Sequence, residues 1–330
     1  MSSNVIVTGS GGFIGSHLCE ALVRRGDRVR ALVRYNGRGE AGRLDDIPPE
    51  IRSEIEVVLG DITDPHAMRG VVHGQEVAFH LAALIAIPYS YIAPHSYFVT
   101  NTLGTVHVLQ AALDEDVGRV VHVSTSECYG SAQKIPISED HRLLAQSPYA
   151  ASKTGADQAA ESFRRAFSLP VVTVRPFNTY GPRQSARAII PTIITQALTS
   201  GAVRLGALEP TRDLTFVADT VAGLIAAANA PDVIGETINL GSGRDISIGD
   251  LAARIFALLG EEGVRARIEH DADRVRPDES EVDRLCADAG KAKRLLGWEP
   301  TMSLSRGLLA TIAAIRSDLD SYPRVSTYQR

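Results

Sequence analysis

The sequence has no surplus of basic charge. It carries 34 lysines and arginines against 39 acids, a net charge of −5. Nucleic-acid binders usually carry a basic face, so no nucleic-acid partner is expected, and an anionic ligand has to be met by a few well-placed arginines. Cysteine is scarce: Cys19, Cys128 and Cys286 are odd in number and scattered, with no Cys-x-x-Cys pair. The nine histidines stand in no ligand spacing with them. No metal site is expected, and the thiols read as the reduced thiols of a cytoplasmic protein. No apolar run reaches the ~20 residues of a membrane helix. No basic stretch with a cleavage site precedes the first apolar run, so neither a membrane nor a secreted protein is expected. Internal repeats and low-complexity tracts are missing as well.

What is present is ample core material, with 44% hydrophobic residues in a chain of 330. The first half alternates short apolar runs with longer helical patterns. Strands are expected at 5–8, 28–33, 55–59, 77–81, 119–124 and 170–175, with helices between them at 15–25, 96–114 and 149–167. That alternation predicts an α/β fold with a parallel sheet covered on both faces, and ligands on such sheets bind beyond the carboxyl ends of the strands. After Arg175 the rhythm changes. A helix is expected at 189–199, a strand closing at Ile238–Gly243, a charged, turn-rich stretch at 265–283 and a last helix at about 304–316. The expected division is a first domain of 1–178 rejoined by about 214–242, a second lobe of 179–213 and 243–320, and a loose tail at 321–330.

Three clusters carry chemistry. Gly9, Gly12 and Gly15, with Phe13 and Ile14 between them, fall directly between the first strand and first helix. Glycines there allow a tight turn and close approach of a pyrophosphate to the backbone, and the helix start offers N–H groups to the anion. The second strand ends in Val33-Arg34 with no acid to hold ribose hydroxyls, and a cation there suits a 2′-phosphate. Tyr149 and Lys153 lie four residues apart on one helix face. The lysine charge is expected to lower the phenol's pKa and make it a usable base. Thr125-Ser126-Glu127 stands at the end of the fifth strand, facing the same edge.

Together these stretches resemble the extended short-chain dehydrogenase/reductase family over nearly the whole chain. Further matching stretches are Arg175–Pro182, Arg212–Val217 with Asp219, and Asn239–Gly243. The resemblance implies a Rossmann-type, doubly wound parallel sheet with a smaller C-terminal substrate-binding lobe. It implies an adenine-side turn at Asp61-Ile62 and a dinucleotide-facing loop at Leu81-Ala82-Ala83, with Tyr149 and Lys153 also touching the cofactor. It implies that Asn178, Arg212 and Arg276 hold a nucleotide diphosphate; Ser126 and Arg187 join them as substrate-binding candidates. The Thr-Ser-Glu run is similar to that of GDP-mannose-type dehydratases. This implies a nucleotide-sugar 4,6-dehydratase in which Thr125, Glu127, Tyr149 and Lys153 are catalytic and Glu127 is both base and acid. The stretch from Pro182 to Pro191 resembles a dehydratase subgroup of bacterial amino-sugar pathways, which implies a UDP- or GDP-linked N-acetylglucosamine. The other readings are a 4-epimerase or 5,6-dehydratase of the same fold, and a non-enzymatic NAD(P) sensor. The expected cofactor is NADP, with NAD the alternative, tightly bound and recycled. The expected assembly is a homodimer paired through the helices at 96–114 and 149–167.

Overall fold

The computed structural model of the protein describes residues 2–261 and 263–322. Of the tail expected from 321, residues 323–330 lie outside the described residues. The first apolar run forms β1 (Asn4–Thr8). Val5 and Val7 face one side and Ile6 the other, and all three are fully buried, as the twofold alternation of a strand requires when both faces are covered. The chain continues through β2 (Arg28–Arg34), β3 (Ile55–Gly60), β4 (Val77–His80), β5 (Arg119–Val123) and β6 (Val171–Pro176). Then follow β7 (Asn178–Tyr180), β8 (Ala202–Leu205), β9 (Thr211–Phe216), β10 (Thr237–Leu240), β11 (Asp245–Ser247) and β12 (Arg267–His270).

Seven strands form one sheet in the order β10-β6-β5-β4-β1-β2-β3, and every pairing in it is parallel. This is the doubly wound fold expected from the sequence. The order reverses between β1 and β4, and a crevice opens at such a switch point. Register sets what meets there: Thr8 pairs with both Leu32 and His80, so the residues after β1 and after β4 leave the sheet side by side.

Two helices bring the site residues to this edge. The helix Phe13–Arg25 starts at Gly12, in extended conformation with no side-chain cap, and ends at left-handed Gly26. The helix Pro148–Phe167 has a proline in its first turn and Ser147 as N-cap, whose Oγ accepts from the Ala150 N–H, a strong start signal. Beyond β6, β7 pairs with β9 and β9 with β11 in a three-stranded sheet, while β8 and β12 form a two-stranded one. The apolar helix Ile189–Thr199 and the helices Ile248–Gly260 and Leu304–Ser317 share one core with the large sheet: Ile193, Ile255 and Leu308 belong to the same cluster as Val7, Val121 and Leu240.

Two elements differ from the sequence reading. The charged stretch at 265–283 contains β12, whose alternation is hidden because Arg267 and His270 are exposed. It pairs in parallel with β8 through Arg267↔Ala202 to His270↔Leu205. The helix expected at 96–114 is interrupted: Phe98–Leu103 winds as a π-turn between Pro94–Tyr97 and Gly104–Asp114.

Candidate active site

A cavity of about 710 Å³ opens at the carboxyl ends of the parallel strands, and it takes in all but one of the candidate residues. At one end lie Gly9, Gly12, Phe13, Ile14 and Gly15, with Leu81 to Ala83 beside Gly9, and Arg34, Asp61 and Ile62. In the middle stand Thr125, Ser126, Glu127, Tyr149 and Lys153; Asn178, Arg212 and Arg276 line the far end. Arg187 is the exception. It is exposed on the loop before the helix Ile189–Thr199 and is not in the lining, although its charge reaches Tyr97.

The glycine end is shaped for a backbone-bound anion. Gly9 is left-handed (φ 73°), and a Cβ there would stand 2.7 Å from the Ala82 nitrogen. A Cβ on Gly15 would run into the Gly9 carbonyl oxygen. Side chains would therefore fill the cradle between β1 and the first helix. Ser16 donates the first intrahelical bond, to the Gly12 carbonyl, so the N–H groups of Phe13, Ile14 and Gly15 come before the ladder, where the helix presents positive charge. These features fit a dinucleotide pyrophosphate. At the end of β2, Arg34 extends into solvent with its Nε 3.8 Å from an Asp61 carboxylate oxygen. Asp61 is fixed by its own turn, its Oδ1 accepting from the Thr63 N–H and hydroxyl. Asn36 folds the next loop, its Oδ1 accepting from the Arg38 and Glu40 N–H groups, and Glu40 lines the cavity.

At the centre, Tyr149 is almost fully buried, with its ring edge-on to Tyr97 at 6.3 Å. Burial pushes the phenol's pKa upward, a hydrogen bond with Thr125 pulls it back, and the charge of nearby Glu127 raises it further. This corrects the sequence expectation of a lowered pKa. The Lys153 ammonium donates to the Val123 carbonyl at 2.8 Å, and burial drives the lysine's own pKa down, with Asp157 acting against it. Thr125, extended, accepts from the Glu127 N–H at 3.2 Å and so caps the short turn Ser126–Tyr129. This turn carries the buried Glu127 to the cavity.

Residues that the sequence reading missed hold this centre in place. Asn101, in the π-turn, accepts from the Leu84 N–H and donates to the Leu84 carbonyl and the Ser152 hydroxyl. It ties the loop after β4 to the helix of Tyr149. Beneath Lys153, the buried Asp157 accepts from His122 at 3.0 Å and from Arg175. At the far end Glu281 bridges Arg212 at 2.9 Å and Arg276 at 3.3 Å. Arg212 is held further by bonds to the Thr211 and Val282 carbonyls. The neighbouring Asp213 accepts from the N–H groups of Ser242, Gly243 and Ala287.

Among the described residues no cluster of His, Cys, Asp or Glu could hold a metal ion, and no helix is long and apolar enough to cross a membrane.

Comparison with known proteins agrees with this geometry. A curated dTDP-glucose 4,6-dehydratase of an Actinoplanes species is 32% identical over 95% of this chain and 98% of its own length. Among solved structures, DesIV, a dTDP-glucose 4,6-dehydratase of Streptomyces venezuelae with NAD bound, superposes with a TM-score of 0.84 at 30% identity, covering 97% of this chain and 99% of that one. A UDP-glucuronic acid 4-epimerase of Bacillus cereus, in complex with its sugar nucleotide and NAD, gives a TM-score of 0.85 at 30% identity, covering 95% and 99%. The family model described as GDP-mannose 4,6 dehydratase matches residues 6–311, and the chain belongs to that family.

Proposed function

We propose that the protein is a nucleotide-sugar 4,6-dehydratase that converts a UDP- or GDP-linked N-acetylglucosamine to its 4-keto-6-deoxy product. The observation that carries this reading is the buried Glu127 in one cavity with Tyr149, close enough for its charge to act on the phenol. Oxidation at C4 needs a base for one hydroxyl; elimination across C5 and C6 needs a second acid–base group, and Glu127 supplies it.

Gly9, Gly12 and Gly15 with the helix start, Asp61, and the loop of Ala82 and Ala83 would hold a dinucleotide along the strand ends. When bound, that cofactor supplies hydride chemistry, taking hydride from the sugar and returning it. Tyr149 takes the proton of the C4 hydroxyl. Thr125, beside the phenol, orients the C4 oxygen, and its hydrogen bond works against the burial that raises the phenol's pKa; Lys153, one turn along the same helix, would hold the nicotinamide ribose. The C4 ketone acidifies the C5 hydrogen. Glu127 removes that proton and delivers one to the C6 hydroxyl, which leaves as water. C6, having lost hydroxide, receives the hydride that left C4, and C5 regains a proton, which balances the one taken by Tyr149, so the net change is loss of one water. Arg212, Arg276 and Asn178 would meet the diphosphate, arginine through paired, directed bonds; Glu281, now between the two arginines, must yield to it.

A 4-epimerase is the second reading, favoured by the similarity to the Bacillus cereus epimerase, 30% identical with a TM-score of 0.85 against 30% and 0.84 for DesIV. A panel of UDP-, GDP- and dTDP-sugars with products followed by mass separates the two. The dehydratase reading expects a product lighter by one water from an N-acetylglucosamine nucleotide. A product of unchanged mass from every sugar overturns it.

A further inference from the structure

Arg183 has no part in the site described so far, yet its backbone is strained and its side chain is committed. It is left-handed at φ 65°, a conformation that a residue with a side chain holds only under outside constraint. Its guanidinium, 15% exposed, reaches across to the first helix. Nη1 donates to the Ser16 hydroxyl at 3.3 Å, and Nη2 to His17 Nδ1 at 3.0 Å and to a Glu20 carboxylate oxygen at 2.5 Å. Arginine can only donate, so His17 Nδ1 must be the acceptor and Nε2 must carry the proton. Nε2 then donates to the Pro182 carbonyl at 3.0 Å. One histidine is thus gripped from both sides by consecutive residues of the loop after β7. Burial and the charge of Arg183 keep it neutral, with its pKa lowered to about 4.

The two parts joined in this way both contribute to the cavity lining. His17 packs edge-on against Phe13 at 5.8 Å, and Phe13 follows Gly12 in the cavity lining. On the other side, Gln184 and Ser185 come directly after Arg183 and line the cavity too. Loosening Arg183 would let the wall of Gln184 and Ser185 swing away from the glycine end.

We propose that Arg183 and His17 form a latch that retains the dinucleotide, fixing the loop after β7 against the cofactor helix so that the cofactor stays in place between giving and regaining hydride. Arg183 is a positioning residue in this role and touches neither substrate nor cofactor. The inference rests on the reading that the cofactor is bound and recycled rather than released in each cycle.

The test is nucleotide exchange. Protein loaded with NADP or NAD is freed of unbound nucleotide, and its exchange with a labelled excess is followed by rapid filtration. Arg183→Gly removes the side chain while glycine accepts the left-handed backbone, and His17→Ala breaks the same junction from the other side. Both variants are expected to exchange nucleotide faster by about tenfold or more, as loss of charge-assisted bonds implies, with melting temperatures close to wild type. The KM for added cofactor is expected to rise by more than kcat falls. Tight retention by the wild type with unchanged exchange in both variants overturns the latch alone. A wild-type protein that takes up no dinucleotide overturns the functional reading and the latch with it.

Discussion

Arg175 places both Nε and Nη2 on one carboxylate oxygen of Asp157, at 3.1 and 2.8 Å, one helical turn beyond Lys153. Both side chains are almost completely buried, and Asp157 uses its second oxygen for His122. Burial alone would raise the pKa of Asp157, but the His122 bond and the Arg175 charge outweigh it and hold it near 2. Asp157→Asn leaves a buried guanidinium without its counter-charge, and such half-broken pairs cost about 3–5 kcal/mol. The sign with pH follows from the lowered value. The pair's contribution is complete above the unfolded pKa of about 4 and fades as pH falls toward 2. The expected outcome is a variant much less stable to urea at neutral pH, with a flatter acid limb between pH 4 and 2. Equal stability of the two proteins at pH 7 would show that the pair contributes nothing.

Tyr149→Phe is expected to lower turnover by ~10²–10⁴-fold, the usual worth of a positioned acid–base group. Phenylalanine keeps the ring packed on Tyr97 and removes only the hydroxyl beside Thr125, so nucleotide uptake should stay near wild type. Steady-state turnover and equilibrium nucleotide binding separate the two effects. Turnover like that of wild type would remove the phenol from the mechanism.

The sheet was legible in the sequence because its strands are buried on both faces and therefore largely apolar, as at Val5 to Val7 and Ala31 to Val33. The glycine loop and the Tyr149–Lys153 pair were legible because local spacing fixes their geometry. The network of His122, Asp157 and Arg175 was not. Its members come from two strands and a helix, and only the parallel register of β5 and β6 brings them together. Glu281 was hidden for the same reason, 69 residues from Arg212 along the chain. The pKa of Tyr149 was misread because spacing reports the neighbouring charge but not the burial that opposes it.

Glu127→Gln is expected to split the reaction. The amide keeps the shape of the Ser126–Tyr129 turn, whose cap uses only the Glu127 backbone N–H. C4 oxidation relies on Tyr149, so reduced cofactor should build up on mixing with substrate, seen as nicotinamide absorbance in stopped flow. Dehydration should fall to background. Full dehydration by this variant would rule out Glu127 as the eliminating base and favour the epimerase reading.

A second copy of the chain is the occupant expected for the apolar face of the two helices after β4 and before β6. Phe98 and Leu103 are 44% and 47% exposed on the first, and Phe167 is 53% exposed at the end of the second. Twofold pairing is the commonest closed arrangement. Light scattering at micromolar concentration should give twice the chain mass, and Leu103→Asp should shift it toward the monomer. A monomer mass for the unaltered protein refutes the pairing.

The retained nucleotide is expected to be NADP. β2 ends in Arg34, whose guanidinium makes a long, exposed approach to Asp61 at 3.8 Å. Exposed pairs of this kind are worth at most about 1 kcal/mol, so the guanidinium can turn to a 2′-phosphate at little cost and engage it through its planar donors. One feature opposes this: Glu40, at the same end of the cavity, brings a carboxylate that the strand end itself lacks. Its charge is offset by Arg38 at 3.5 Å, which leaves two arginines against two acids before the phosphate enters. Arg34→Ala should therefore weaken NADP binding by about tenfold, roughly one charged hydrogen bond, and leave NAD binding unchanged. Glu40→Gln should shift the preference further toward NADP. Denaturing the purified protein and identifying the released nucleotide gives the direct answer. Recovery of NAD alone, together with equal NADP affinity in the wild type and Arg34→Ala, would assign the ribose end to NAD.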